Sequence, residues 1–244
     1  MSSPRQIYSF IQNYFEKRNL IKKKNLKALV TAGPTREYLD PVRYISNESS
    51  GKQGFEIALA LSKLGIKTKF ITGPSNLIDR KELITKKIVS ADEMFVEVKK
   101  SLPVDVAICT AAVSDFKPFH KNKCKIKNDQ RKNHSILIKK NKDILEYLGK
   151  NNKHRPKLVV GFAAETEELQ KNSIQKLNKK NCDLIVANDV SKKDIGFNSD
   201  YNEVTIIDND GNYKFFKKNK KSIIAKKVVE IILDKLLVDE RNFN

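Results

Sequence analysis

Short apolar runs alternate with segments of helical periodicity along most of this chain, and that alternation limits the fold more than any other feature. The runs are Lys27-Ala28-Leu29-Val30, Lys67 to Ile71, Val104 to Thr110, Leu158 to Phe162 and Leu184 to Ala187. They are too short for helices and nearly continuous in hydrophobicity, as expected of strands buried on both faces of a parallel sheet. Between them lie Phe55 to Leu64, with Ile57, Ala58, Leu61 and Leu64 on one face, Ala91 to Ser101 behind a Ser90 cap, Lys142 to Leu148, and Glu167 to Lys180, with Leu169, Ile174 and Leu177 inward. Strand, helix and strand joined by short connections predict an α/β fold, a Rossmann-like, mostly parallel sheet with helices on both faces. Ligands in such sheets bind beyond the carboxyl ends of the strands.

The ends of the chain and one internal segment depart from this pattern. Ser3 followed by Pro4 reads as a helix start, and Ile7, Phe10, Ile11 and Tyr14 carry a helical period to about Lys17. The basic segment Arg18 to Lys24 reads as a linker, which divides the chain into an appended helix and linker over 1–24 and one main domain over 25–244. Gly65 closes the helix that ends at Leu64. Further strands are predicted over Lys86 to Val89 and Ser135 to Ile138. Near the C-terminus, Glu203 to Ile207 and Asn212 to Phe216 flank Asp208-Asn209-Asp210-Gly211, a hairpin signal. Ser222 then caps a last helix with Ile224, Val228, Ile231, Ile232 and Leu236 as its core stripe. Phe119 to His134 is basic, polar and without a helical period, so a flexible basic flap is expected over about residues 117–134.

The longest connection, Thr31 to Gly54, separates the first strand from the first core helix. Loops of this length inside a compact domain are usually functional or disordered. Its Gly and Pro residues and its alternating charges, Arg36, Glu37, Asp40, Arg43, Glu48 and Lys52, favour function, and its end at a helix N-terminus favours an anionic, phosphorylated ligand. Ser46 to Gln53 holds the Gly-Lys of a P-loop but lacks its leading Gly and following Ser or Thr, and Gly51-Lys52-Gln53-Gly54 falls short of G-x-G-x-x-G.

Composition adds bounds rather than a function. Lys and Arg number 48 against 29 Asp and Glu, a net +19, which favours anionic partners or reflects a Lys-rich surface. No Arg-aromatic nucleic-acid footprint is present. Cys109, Cys124 and Cys182 are an odd number without C-x-x-C spacing, which supports neither a disulfide framework nor zinc. His120, His134 and His154 lie in basic, loop-like surroundings that read as surface. No run is long and apolar enough to span a bilayer and no leader is evident, so a cytoplasmic protein without a membrane partner is expected.

Taken in order, eight blocks from residue 25 to 237 resemble the phosphopantothenate-cysteine ligase family, the second activity of the bacterial bifunctional coenzyme A biosynthesis protein. They are Val30-Thr-Ala-Gly-Pro-Thr-Arg-Glu, Asp40-Pro-Val-Arg-Tyr-Ile-Ser-Asn, Ser49-Ser-Gly-Lys-Gln-Gly, Ala111-Ala-Val-Ser-Asp-Phe, Lys125-Ile-Lys, Gly161-Phe-Ala-Ala-Glu-Thr, Ala187-Asn-Asp-Val and Gly196-Phe-Asn-Ser-Asp. The resemblance implies a ligase that activates 4′-phosphopantothenate with CTP and magnesium as an acyl-cytidylate, then joins it to L-cysteine.

It also implies roles for residues. Asn47, Arg43 and Lys125 become the catalytic candidates, with Asn47, Arg43, Ser49, Ser50 and Gly51 holding the acyl substrate. Ala111, Asp115, Lys125, Phe162, Lys176 and Lys180 become nucleotide-binding, as does Lys142-Asp143-Ile144-Leu145, where Lys142 replaces the family's usual proline. The bland reading of Arg43 is an ion pair with Asp40, and that of Lys176 and Lys180 is a solvated helix face. Magnesium ligands stay unassigned. A homodimer whose flap closes over a shared site is implied, with a phosphopantothenoylcysteine decarboxylase, separate or formerly fused, as a further partner and no flavin in this chain. Two other readings remain open from the residues alone: an NAD(P)-dependent oxidoreductase, disfavoured by the missing glycine fingerprint, and a non-catalytic protein binding anions or nucleic acid.

Overall fold

The computed structural model describes residues 3–127, 135–150, 153–165, 167–189 and 199–238. Helix α1 spans Pro4–Lys24 and opens on a reciprocal cap: the Ser3 hydroxyl accepts from the Gln6 N–H, and the Gln6 side chain accepts from the Ser3 N–H. The helix does not stop near Lys17. It runs through the basic stretch read as a linker and ends at Asn25, which is left-handed at φ 47°. Lysine and arginine are good helix formers, and Ile21, 1% exposed, seats the last turns on the main core. The C-terminal end of α1 is therefore part of the core rather than a tether.

Strand β1, Lys27–Ala32, leads into the long loop, which carries a small antiparallel hairpin of β2, Arg36–Tyr38, and β3, Tyr44–Ser46. Then come α2, Lys52–Lys63, β4, Lys67–Thr72, β5, Ile84–Lys87, α3, Ala91–Ser101, and β6, Val106–Cys109. Strand β7, Phe116–Pro118, pairs antiparallel with β8, Ile138–Lys140, as the two arms of the predicted flap, whose residues 128–134 lie outside the described residues. Helix α4, Ile144–Lys150, β9, Leu158–Glu165, α5, Leu169–Lys180, and β10, Leu184–Asp189, complete the parallel part. The chain closes with β11, Tyr201–Asp208, β12, Tyr213–Lys220, and α6, Lys221–Val238.

Eight strands form one sheet in the order β12-β11-β10-β9-β6-β1-β4-β5, parallel from β5 to β10, with β11 antiparallel to both neighbours. One face is covered by α2 and α6, whose Ile57, Leu61, Ile224, Val228 and Ile232 meet Val30, Ile108 and Val160. The other is covered by α3, α4 and α5 through Met94, Leu148 and Leu177, against Leu29, Ala107 and Ile185. This is the predicted architecture. The differences lie at ends: β5 sits two residues earlier than expected, β8 begins where its predicted strand ended, and Ser222 lies inside α6 instead of capping it.

Because β1 sits between β4 and β6, chain order reverses direction across the sheet beside β1. The loops leaving β1 and β6 diverge there and leave a crevice at the carboxyl edge.

Candidate active site

Two backbone requirements place α2 against that crevice. Gly51 precedes the helix at φ +71°, a conformation that favours glycine, so no side chain caps the first turn. The preceding serines fold inward instead: Ser49 Oγ accepts from the Gly51 N–H at 3.3 Å and Ser50 Oγ from the Lys52 N–H at 3.5 Å. One turn on, Gly54 lies so close to β1 and β6 that a Cβ there would stand 2.7 Å from Ala32 Cβ and 2.1 Å from Thr110 Oγ1. The start of α2 and its outward N–H groups are thus pressed against the carboxyl edge of the sheet.

A cleft of about 630 Å³ opens there. Predicted residues from four separated segments line it: Asn47, Ser49, Ser50 and Gly51 from the long loop, Ala111 and Asp115 after β6, Phe162 on β9, and Lys176 on α5. Asn47 Nδ2 donates to the Val113 carbonyl at 3.1 Å, bridging the loops after β1 and β6. Lys176 Nζ donates to the Phe162 carbonyl at 2.9 Å, which holds a cation beside the aromatic ring.

The remaining predicted residues are placed otherwise. Arg43 lies in a tight turn rather than a helical coil, and its ion pair with Asp40 forms at 3.6 Å. Asp40 is fully buried and organises the turn: its carboxylate accepts from the Val42, Arg43 and Ile126 N–H groups at 2.7, 2.8 and 3.1 Å. Arg43 also donates to the Ile126 carbonyl at 3.2 Å, so the arm of the flap beside Lys125 is fastened to the long loop. Burial resists ionisation of Asp40, but these backbone donors prevail and lower its pKa. Lys125 itself is exposed and does not line the cleft.

No residue of the segment 141–145 lines the cleft, but Asn141 ties the segment to the loop that carries Asp115. The Asn141 N–H donates to the Asp115 carbonyl and its Nδ2 to the Ser114 carbonyl, each at 2.8 Å. Lys142 turns away and sits over the Phe95 ring at 4.9 Å, while Ile144 and Leu145 are buried in the core. Asp143 caps α4 through the Glu146 N–H at 2.8 Å and meets Lys180 at 2.7 Å. Lys180 also meets Glu146 at 3.1 Å, so it fastens α4 to α5 and does not line the cleft. Burial works against the charge of Lys180, but the two carboxylates prevail and raise its pKa; Glu146 is lowered chiefly by its hydrogen bond from Lys180, and Asp143 is lowered despite burial.

Residues beyond the predicted set also line the cleft: Lys52, Gln53, Asn188, Asn202 and Lys221. Lys221 is the least expected, being 7% exposed at the start of α6. Burial and then the charge of Lys52 lower its pKa. It stands in a run of lysines whose other members point to no special role, so nothing in the sequence distinguishes it.

Burial pushes the thiols of Cys109 and Cys182 up to about 12, which leaves neither as a thiolate nucleophile near neutral pH. Among the described residues no group of three His, Cys, Asp or Glu side chains could hold a metal ion, and no helix is long and apolar enough to cross a membrane. Glu48 and Asp115 are the carboxylates lining the cleft, set among amides, hydroxyls and lysines. The arrangement can hold an anionic, phosphorylated ligand with a planar group near Phe162.

The model of the family described as "DNA/pantothenate metabolism flavoprotein C-terminal domain" matches residues 23–236. The chain is 39% identical over 233 residues to the coenzyme A biosynthesis bifunctional protein CoaBC of Haemophilus influenzae, which covers 95% of this chain and 57% of that protein. It thus spans little more than half the length of this relative. Among solved structures, the C-terminal domain of a coenzyme A biosynthesis bifunctional protein CoaBC matches with a TM-score of 0.72 and 34% identity, over 87% of this chain and 97% of that one. A mutant of Cab2 in complex with phosphopantothenate-cysteine shares the fold at a TM-score of 0.68 and 18% identity, over 98% of this chain and 97% of that one.

Proposed function

The chain belongs to the family of the DNA/pantothenate metabolism flavoprotein C-terminal domain, and from that premise we propose that it is a CTP-dependent ligase of coenzyme A biosynthesis. It joins 4′-phosphopantothenate to L-cysteine. One observation carries this reading: residues assigned by resemblance from four distant segments, Asn47 to Gly51, Ala111 with Asp115, Phe162, and Lys176, wall a single cleft at the carboxyl edge of the sheet.

The reaction has two displacements. A carboxylate oxygen of 4′-phosphopantothenate attacks the α-phosphorus of CTP, and the bond to the bridging oxygen breaks with release of pyrophosphate. The cysteine amine then attacks the acyl carbon of the cytidylate. The acyl-oxygen bond breaks, CMP leaves, and the amine proton passes to solvent or a basic group. Both steps gather anions, so cations and N–H donors must face the charge that develops. Lys176 and the first turn of α2 supply these, with Phe162 beside the nucleoside and Asp115 accepting from its hydroxyl or amino groups. Asn47 spends one amide N–H on Val113 and offers its remaining polar atoms to the acyl group.

A magnesium ion would neutralise the phosphates. It keeps waters and phosphate oxygens as most of its ligands, and Glu48 and Asp115 are the carboxylates in reach of the cleft. Arg43 and Lys125 act through the flap, which the Asp40 turn holds beside the long loop. Closure of the flap, across a homodimer, keeps water from the acyl-cytidylate. Lys180 and the segment Lys142 to Leu145 shape the base end through the Asp143 cap and the Asn141 link to Asp115. Its product suits a separate decarboxylase acting on the new cysteinyl carboxylate.

The test mixes protein, magnesium, CTP or ATP, and 4′-phosphopantothenate, with and without cysteine. Pyrophosphate release should require the pantothenate compound, CMP release should rise when cysteine is added, and CTP should outperform ATP. The variant Asn47→Asp should form the cytidylate and stall before the amide. Failure of wild type to incorporate cysteine would refute the assignment, and equal loss of both half-reactions in the variant would refute the role of Asn47.

A further inference from the structure

We propose that a second cavity, which shares residues 46–50 as a wall with the nucleotide cleft, is the binding site of the amino acid substrate, with Arg36 holding its carboxylate and Glu48 its ammonium group. The inference rests on the ligase reading for the identity of that amino acid, L-cysteine, and on geometry for the cavity itself.

Strand β1 lies between β6 and β4, so the long loop that leaves it has the loop after β6 on one side and the loop after β4 on the other. The nucleotide cleft lies toward β6, and the second cavity, of about 640 Å³, lies toward β4. The β2–β3 hairpin supplies its charged side. Arg36 pairs directly with Ser46, and Tyr38 with Tyr44. Alternation along the two strands therefore sets Arg36, Tyr44 and Ser46 on one face of the hairpin and Glu37 on the other, where Glu37 is buried against the Ala91 N–H. On the first face the Arg36 guanidinium lies over the Tyr44 ring, 4.6 Å from its centroid, and both residues line the cavity. The loop after β4 closes it from below. Gly73 approaches the long loop so closely that a Cβ there would collide with the Pro34 carbonyl, and Pro34, Pro74 and Leu77 form an apolar patch of the lining.

Among the described residues neither Arg36 nor Glu48 makes an ion pair, whereas Lys52, which also lines the cavity, is committed to Asp200 at 2.6 Å. One unpaired cation and one unpaired carboxylate on the wall of a single cavity complement a zwitterion. Of the three organic reactants, CTP and 4′-phosphopantothenate carry negative charge and no cationic group, so Glu48 disfavours both. Cysteine alone brings an ammonium group together with a carboxylate. Its thiol behaves as a small hydrophobe and suits the patch formed by Pro34, Pro74 and Leu77. Stacking on Tyr44 holds the guanidinium in one plane, ready for a bidentate carboxylate. The shared wall explains the location. Asn47, Ser49 and Ser50 border both cavities, so an acyl group held there is within reach of the nucleotide from one side and of the amine from the other, and the two do not compete for space.

Cysteamine keeps the amine and thiol of cysteine and lacks the carboxylate, so it separates the two contacts. Amide formation is followed with L-cysteine and with cysteamine, at saturating CTP, magnesium and 4′-phosphopantothenate, on wild type, Arg36→Met, Arg36→Lys and Glu48→Gln. Wild type should prefer cysteine in kcat/KM by about 10- to 100-fold, the worth of one charge-assisted pair. Arg36→Met should bring the two amines to within about threefold of each other by losing activity with cysteine alone, and Arg36→Lys should regain part of the preference. Glu48→Gln should raise KM for both amines together by about tenfold, with no greater need for magnesium. Calorimetry gives a second readout: L-cysteine should bind wild type and bind Arg36→Met at least about tenfold more weakly. An Arg36→Met protein that keeps the wild-type preference, or that loses both amines equally as a merely structural arginine would, overturns the proposal. So does a Glu48→Gln protein whose sole defect is a demand for more magnesium. If wild type binds cysteine through Arg36 yet forms no amide with 4′-phosphopantothenate, the ligase reading falls while the cavity stands as an amino acid site; if turnover holds and the preference ignores Arg36, the cavity alone falls.

Discussion

Replacing Gly54 by alanine tests whether close approach of α2 to the sheet builds the cleft. The new Cβ would meet Thr110 Oγ1 at 2.1 Å and Ala32 Cβ at 2.7 Å. Neither neighbour can yield freely. Thr110 Oγ1 donates to the Thr31 carbonyl at 2.6 Å, and Ala32 is a fully buried residue of β1. The first turn of α2 must therefore retreat by about 1 Å or the threonine must rotate and abandon its bond. Overpacking of this kind costs about 1–3 kcal/mol and a lost hydrogen bond about 1 kcal/mol, while exchanging glycine for alanine inside a helix returns up to about 1 kcal/mol. A net loss of about 2 kcal/mol lowers Tm by about 4–8 °C for a chain of this size. The same retreat carries the N–H groups of residues 52–54 away from the ligand, so CTP affinity should fall about tenfold. Adding Thr110→Ala removes the closer of the two clashes. The double variant should recover roughly half of the lost stability, because the Ala32 contact persists, and the two changes should be non-additive. Thermal and urea unfolding of the four proteins measure this directly. A Gly54→Ala protein that melts within about 1 °C of wild type, or strict additivity with Thr110→Ala, would refute the packing argument.

Other consequences are equally open to measurement. Asp40→Asn places an amide N–H against backbone donors now served by a carboxylate, so the flap arm should loosen; ligase turnover should fall at least about tenfold while CTP affinity holds. Lys180→Met should lower Tm at neutral pH by freeing α4 from α5. The sign of its pH dependence follows from the shifts. Asp143 and Glu146 are lowered, so their contribution is full above their ordinary values of 3.8 and 4.5 and is lost as pH falls through the lowered ones. Lys180 is raised, so its share is full below 10.5 and is lost as pH rises through the raised value. The gap between wild type and variant should thus be flat across the middle of the range and close at both ends. A pH-independent gap would argue against the triad.

The order of strands and helices was legible because it depends on periodicity, which needs no tertiary information. Three features were not. The basic stretch after Lys17 resembled a linker, since its helix is confirmed by one apolar residue, Ile21, finding the core. The β2–β3 hairpin has strands of three residues, too short to display a period. Glu37 and Asp40 looked like members of a solvated, alternating series, yet both are buried acceptors of backbone N–H groups, Glu37 serving Ala91 at 2.8 Å. Burial of a charge against backbone donors leaves no mark in local sequence. At the site, residue types alone offered only Ser49 to Gly51 at a helix start; resemblance supplied Asn47, Phe162 and Lys176, which the cleft brings together. Lys180 and Lys176 share a helix face in sequence, but the carboxylates of α4 claim one and the cleft the other.

The single antiparallel strand has a further effect on how this protein comes into being. By reversing direction once at β11 and again at β12, the chain returns to the edge it left 168 residues earlier, where Gln53 meets Lys221. A nascent polypeptide that has emerged only as far as β10 already contains every site residue assigned from the resemblance, yet the part of its cleft wall formed by Asn202 and Lys221 is missing. Competence to hold ligand would then wait until β11, β12 and α6 have joined the fold.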